Sequence, residues 1–267
     1  MWWARRRGMR SMTLFHSGGT DFFPCDRWFQ DEIDALCAVS RYNARQIEAR
    51  YGRPATVVHN GVDTGVFRPL GRDPALRAKL GAGRDDVLLA SVGRLVGWKG
   101  TRILLEALAA LPARFRCIVI GTGPEEAGLE RLAHELGVSA RVAFLGRVPH
   151  AEIPLLLSQC DLLAQPSIGE EAFGISVIEG MACGLPVLAS NNGGLPEIVV
   201  EGETGHLVEP GNVDAWRGAL ARAGADTAGL AAMGANSRVL AEAKFTWAAC
   251  AARLEAVVTE GVACAAS

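Results

Sequence analysis

Two cations and two carboxylates in this 267-residue chain have the types and spacing to hold a charged, hydroxyl-rich ligand. Arg94 and Lys99 lie five residues apart in Gly93-Arg94-Leu95-Val96-Gly97-Trp98-Lys99-Gly100, on a loop leading from an apolar run into a helical pattern. A guanidinium offers a fork to phosphate oxygens and an ammonium a point charge. A helix amino terminus beside them would add unpaired N–H groups and a positive dipole end. That set suits a diphosphate, although the stretch alone would serve equally as a solvated loop. Glu171 and Glu179 flank Ala172-Phe173-Gly174-Ile175-Ser176-Val177-Ile178, the first in a loop and the second in the second turn of the helix that follows. A carboxylate among Val177, Ile178 and Met181 is expensive to bury without partners. Sugar and ribose hydroxyls are natural donors to it, while a cap or a salt bridge would also satisfy it. Gly174 stands where the chain enters that helix, so its amide and that of Ile175 can face an anion.

Bringing these groups together requires a sheet that presents one edge. Short apolar runs at Val87–Val92, Arg116–Ile120, Arg141–Phe144, Leu162–Gln165, Pro186–Ala189 and His206–Val208 alternate with helical patterns near Thr101–Ala110, Glu125–Leu136, Ala151–Gln159, Ile175–Cys183, Pro196–Glu201 and Val213–Ala223. Continuous apolar strands separated by helices mean a parallel sheet covered on both faces, an α/β, doubly wound, Rossmann-like domain. The strands end in Gly93-Arg94, Gly121-Thr122-Gly123-Pro124, Gly146-Arg147, Pro166-Ser167 and Ser190-Asn191-Asn192-Gly193-Gly194. In open α/β sheets ligands sit outside the carboxyl ends of the strands, and glycine there lets a ligand approach the backbone. Such loops are glycine-rich in general, so the set, not any one loop, carries the expectation of a binding edge.

Residues 1–65 hold only three strand patterns, Ser11–His16, Ala35–Ser40 and Ala55–His59, with a helix at Arg41–Tyr51. The segment is expected to be the tail of a partial amino-terminal domain, followed by a ligand-binding domain over 66–244. Over 245–267 an Ala-rich helix, with an apolar face from Phe245 to Ala256, is expected to dock.

The bulk numbers narrow the field. A net charge of −2 and few aromatics give no case for nucleic acid. The seven cysteines, Cys25, Cys37, Cys117, Cys160, Cys183, Cys250 and Cys264, form no C-x-x-C pair, and an odd, scattered set points to reduced thiols in a cytoplasmic protein. No stretch approaches the ~18–20 apolar residues that cross a bilayer. The start, Met1-Trp2-Trp3-Ala4-Arg5-Arg6-Arg7, lacks the apolar region of a signal peptide, and peripheral contact at the inner face of a membrane is open to it.

The run E-A-F-G-I-S-V-I-E-G-M-A-C-G-L-P-V-L-A-S from Glu171 resembles the family-4 retaining glycosyltransferases, which have the two-domain GT-B fold. So do N-G-V-D at Asn60–Asp63, V-G-R-L…K-G at Val92–Gly100, G-x-G-P at Gly121–Pro124, F-L-G-R-V at Phe144–Val148, G-G-L-P-E-I-V at Gly193–Val199 and F-T-W at Phe245–Trp247. A lone pair of glutamates at this spacing is a weak signal; seven motifs in order are specific. The resemblance implies that Arg94 and Lys99 hold the donor diphosphate with the amides of Gly174 and Ile175. It implies that Glu171 bonds the donor sugar, Glu179 the ribose, and that the backbone at Arg147-Val148 meets the base. Gly121 and Gly123 fall on the donor side, and His16 where many members carry an acceptor-side histidine. The partners implied are a nucleotide sugar and a sugar, lipid or small-molecule acceptor. No metal is expected, since no D-x-D triplet is present and two fixed cations can take up the charge that grows on the leaving phosphate, each good donor lowering the barrier by ~3–4 kcal/mol.

Family members are usually longer, with a complete amino-terminal domain, so this chain by itself is expected to bind donor weakly and to turn over little. A non-catalytic nucleotide-sugar-binding module that needs another chain is the alternative. An epimerase shares the architecture but does not call for the two glutamates with Arg94 and Lys99. A dehydrogenase is disfavoured because no G-x-G-x-x-G follows the first strand.

Overall fold

In the computed structural model, residues 11–16 and 33–263 are described, and they form two parallel sheets. The small sheet pairs β1 (Met12–Phe15), β2 (Ala35–Ala38) and β3 (Thr56–Val57) in that order, with α1 (Arg41–Tyr51) between the last two. After a short helix α2 (Pro74–Lys79) comes the large sheet: β4 (Val87–Val92), β5 (Phe115–Ile120), β6 (Val142–Gly146), β7 (Leu162–Gln165), β8 (Val187–Ser190) and β9 (Gly205–Val208). Its spatial order is β6-β5-β4-β7-β8-β9. Numbered from its own first strand this is 3-2-1-4-5-6, the doubly wound order, whose direction reverses between β4 and β7.

The strands read as continuous apolar runs because each face has its own core. Leu88, Ala90, Ile118, Leu163 and Val187 face one apolar layer. It is closed by α5 (Ile153–Leu157), α6 (Ile175–Ala182) and α8 (Thr227–Lys244). Val87, Leu89, Cys117, Leu162 and Leu188 face the other. That side is closed by α3 (Thr101–Ala109), α4 (Glu126–Glu135) and α7 (Val213–Ala225), whose Trp216 is fully buried.

The last helix, α9 (Trp247–Ala263), returns to the small sheet, where Cys250 and Val257 pack with Cys37 and Val58. Just before it, Val62 N–H donates to the carbonyl of Phe245 at 2.7 Å, and Val62 bridges Thr246. Two of the sequence motifs, Asn60–Asp63 and Phe245–Trp247, therefore meet at the joint between the sheets.

Two expectations need correction, and one helix goes beyond them. The helix at Pro196–Glu201 is only a 3-10 turn, Leu195–Glu197. The β-branched pair Val199-Val200 follows, and Gly202, at φ 75°, turns the chain back so that Val200 N–H reaches Thr204 Oγ1 at 2.9 Å. The helix at Ala151–Gln159 is a 3-10 turn, His150–Glu152, before the five residues of α5. And α8, 18 residues long, was not expected. Its buried positions include Gly234, Ser237 and Ala241, small residues that leave no apolar stripe for a periodicity to reveal.

Among the described cysteines Cys37, Cys117, Cys160, Cys183 and Cys250 are buried free thiols. Burial pushes the thiols of Cys117 and Cys183 up to about 12. Cys25, Cys264 and the Met1–Arg7 segment lie outside the described residues.

Candidate functional site

At the switch between β4 and β7 the two following loops diverge and leave a crevice at the carboxyl edge. The loop after β4 carries Arg94 and Lys99; the loop after β7 carries Glu171. Lys99 Nζ and Glu171 Oε2 stand 2.5 Å apart, with side chains only 15% and 12% exposed. The carboxylate is further set by Ser167 Oγ, which donates at 3.2 Å, and Gln165 Nε2, at 3.4 Å. Gln165 in turn accepts from Ser176 Oγ in the first turn of α6 at 3.1 Å. A polar chain thus runs from the β4 loop to the start of α6. Sequence reasoning missed Gln165, Ser167 and Ser176, because polar residues at strand and helix ends are common and only the contact distinguishes them.

Arg94 is exposed and makes no ion pair among the described residues. It lines one small cavity with Lys99 and Gln165, and a second of about 220 Å³ with Gly121, Thr122, Arg147 and Val148. The start of α6 is tied to the first cavity through Ser176 and Gln165. Gly174 has φ 111°, where a side chain would be strained, and Ile175 is 48% exposed. The amides of Gly174 and Ile175 donate to no protein acceptor among the described residues.

Glu179 lies farther along α6 and is 7% exposed. Its Oε1 is 2.7 Å from His150 Nε2. Burial raises the carboxyl pKa above its ordinary 4.5, and the His150 contact partly opposes the rise. His150, which sequence reasoning did not single out, follows Arg147-Val148-Pro149 directly. Its partner is 29 residues away, so no local pattern marks it.

The loop bearing Glu171 is also gripped from the small-sheet side. Ser40 Oγ donates to the Ala172 carbonyl at 2.6 Å, and the rings of Phe173, His59 and Phe245 form a mutual triangle. The Glu197 carboxylate accepts the Arg41 and Tyr42 amides at 2.7 and 2.8 Å, at the amino terminus of α1. His16, exposed at the end of β1, has no hydrogen bond or ion pair to the other candidates among the described residues.

Three of the strand-end glycines also have a structural task of their own. A Cβ on Gly121 would lie 1.9 Å from the Gly93 carbonyl oxygen, one on Gly123 2.3 Å from that of Leu95, and one on Gly193 2.2 Å from that of Glu171. The neighbour that comes too close is the adjacent loop, so these glycines knit the loops into one rigid edge.

A family model described as "Glycosyl transferases group 1" matches residues 73–239, more than half of the chain. The chain belongs to this family. A second model, "Glycosyltransferase Family 4", matches residues 1–66. Within this group 1 glycosyltransferase chain, Arg94, Lys99, Glu171 and Glu179 all fall in the first matched segment. Among curated relatives, the "D-inositol 3-phosphate glycosyltransferase" of Mycobacterium tuberculosis (strain ATCC 25618 / H37Rv) is 44% identical over 199 residues, covering 71% of this chain and 41% of the relative. The chain thus spans about two fifths of that relative's length. Among solved structures, Anabaena Alr3699/HepE in complex with UDP superposes with a TM-score of 0.86 at 26% identity, over 96% of this chain and 74% of that one. Sucrose-phosphate synthase from Thermosynechococcus elongatus gives 0.83 at 27% identity, over 98% and 71%. The architecture is that of GT-B glycosyltransferases.

Proposed function

We propose that this chain is the nucleotide-sugar side of a retaining glycosyltransferase that moves a sugar from a nucleoside diphosphate to a hydroxyl acceptor. One observation carries the reading. The Lys99–Glu171 pair sits at the switch point beside Arg94, and Gln165 links its carboxylate to Ser176 at the start of α6. On donor binding each member of the pair exchanges its partner. The ammonium turns to the diphosphate, and the carboxylate accepts from hydroxyls of the donor sugar. As the anomeric bond breaks, negative charge grows on the departing phosphate, and in this reading Arg94, Lys99 and the α6 amides meet it. That positive set does the work without calling on a metal. Glu179 takes the ribose, and the Arg147-Val148 loop, with Gly121 across the cavity, takes the base.

We assign residues 1–65 to the acceptor side, with His16 on its edge, 66–244 to the donor side, and 245–267 to the helix that docks back. HepE was crystallised with UDP and with UDP-glucose, which makes UDP-glucose the first donor to test. The named acceptor of the mycobacterial relatives makes inositol 3-phosphate the first acceptor. Among the described residues no helix is long and apolar enough to cross a membrane, and a cytoplasmic site of action, with peripheral membrane contact, belongs to this proposal.

The test is thermal stabilisation of the 267-residue chain by UDP, GDP and ADP and their sugars. One base series is expected to raise the midpoint, and Arg94→Ala and Lys99→Ala to abolish the rise. An undiminished rise in both variants refutes the phosphate site. A rise without sugar transfer, even when an acceptor-side domain is supplied, favours the second reading, a binding module.

A further inference from the structure

We infer that His150 is a positioning residue: it aims the buried carboxylate of Glu179 at the ribose and ties that carboxylate to the loop that meets the base. The inference rests on the donor-site reading above and adds a residue to it.

Glu179 is set in the apolar body of α6, with Val177, Ile178 and Met181 fully buried around it. The one hydrogen-bond partner of its carboxylate among the described residues is His150, which occupies Oε1. A carboxylate offers about four lone-pair sites, so Oε2 is left for a ligand's hydroxyl. The His150 ring is held on two sides. One nitrogen is committed to Glu179, and the ring packs at 4.8 Å against that of Phe67, itself 2% exposed. The Phe67 carbonyl is fixed by Arg238 Nη1 at 2.7 Å, and the same Arg238 nitrogen also bonds Ala182 at the end of α6.

The third connection is the chain itself. His150 opens the 3-10 turn that follows Arg147-Val148-Pro149, and Arg147 and Val148 line the cavity of about 220 Å³ shared with Arg94. A displacement of that loop therefore moves the ring, and the ring moves the carboxylate. Base contact and ribose contact are coupled through one imidazole. The open face of the ring is accessible, its side chain being 68% exposed, so His150 can be replaced without leaving a cavity.

The experiment titrates the chain with the tightest-binding of UDP, GDP and ADP and with its 2′-deoxy and 3′-deoxy counterparts. Wild type is expected to prefer the ribonucleotide over at least one deoxy form by roughly tenfold, the worth of one hydrogen bond to a charged group. His150→Ala should lose that preference while binding the same deoxy form as before, and His150→Asn or His150→Gln, which restore an N–H, should recover part of it. Glu179→Gln should also lose it, and the double variant should be no worse than either single one. If His150→Ala keeps the wild-type preference, or weakens ribo and deoxy forms alike, the inference is overturned while the donor site stands. If no nucleotide binds, or Glu179→Gln keeps the preference, the ribose assignment itself fails and the inference with it.

Discussion

Glu197 is one of the side chains that join the small-sheet segment to the large-sheet domain. Its carboxylate receives two backbone N–H groups at 2.7 and 2.8 Å, across 156 and 155 residues of sequence, at the amino end of α1. The side chain is 16% exposed, so each bond is worth the low end of the range for charged acceptors, about 1.5 kcal/mol. The dipole of α1 adds up to about 1 kcal/mol. Glu197→Ala is therefore expected to lower unfolding free energy at pH 7 by about 3 kcal/mol, and Glu197→Gln, which keeps one acceptor oxygen, by about half that. The helix itself should survive, because Ser40 Oγ still accepts from Asn43 N–H at 2.9 Å.

The pH dependence has a definite sign. Burial alone would raise the Glu197 pKa, but His59 and the two amides outweigh it and hold the carboxyl below its ordinary 4.5. His59 Nε2 is 3.9 Å away, beyond hydrogen bonding, so it acts on the carboxylate through charge alone. A depressed acid pKa means the stabilisation is fully present above 4.5 and is lost as pH falls through the folded-state value. Urea unfolding of wild type and Glu197→Gln, followed by tryptophan fluorescence from pH 8 to pH 3, should show the two curves converging at the acid end. A Glu197→Ala variant within about 0.5 kcal/mol of wild type at pH 7, or parallel pH curves, would refute the reasoning.

Gly121→Ala puts a methyl group 1.9 Å from a backbone oxygen at φ 136°; overpacking alone costs about 1–3 kcal/mol, so a clear fall in thermal midpoint and loss of nucleotide binding are expected, and an unperturbed midpoint would count against the knitted edge. Glu179→Gln should do the opposite to the free chain. A raised acid pKa means that carrying the charge costs the fold at pH values above it. The neutral variant should therefore melt higher than wild type at pH 8, the gain fading as pH falls, while ribonucleotide affinity drops; a lower midpoint at pH 8 sinks this.

Much of this protein was legible before any coordinates, for a physical reason. A parallel sheet covered on both faces forces its strands to be apolar throughout, so Leu162–Gln165 and Val87–Val92 stand out with correct bounds. Residue chemistry singled out Arg94, Lys99, Glu171 and Glu179 as candidates but left a solvated loop, a cap or a salt bridge equally open. Tertiary structure alone decided who meets whom. That Lys99 and Glu171 are each other's partners, that Glu179 answers to His150, and that Glu197 caps a helix of the other sheet are contacts across 72, 29 and about 155 residues. Such contacts are set by strand order and loop packing, which local pattern does not encode. The same holds for the glycines, whose neighbours turned out to be other loops, and for α8, whose small buried side chains have meaning only against the surface they touch.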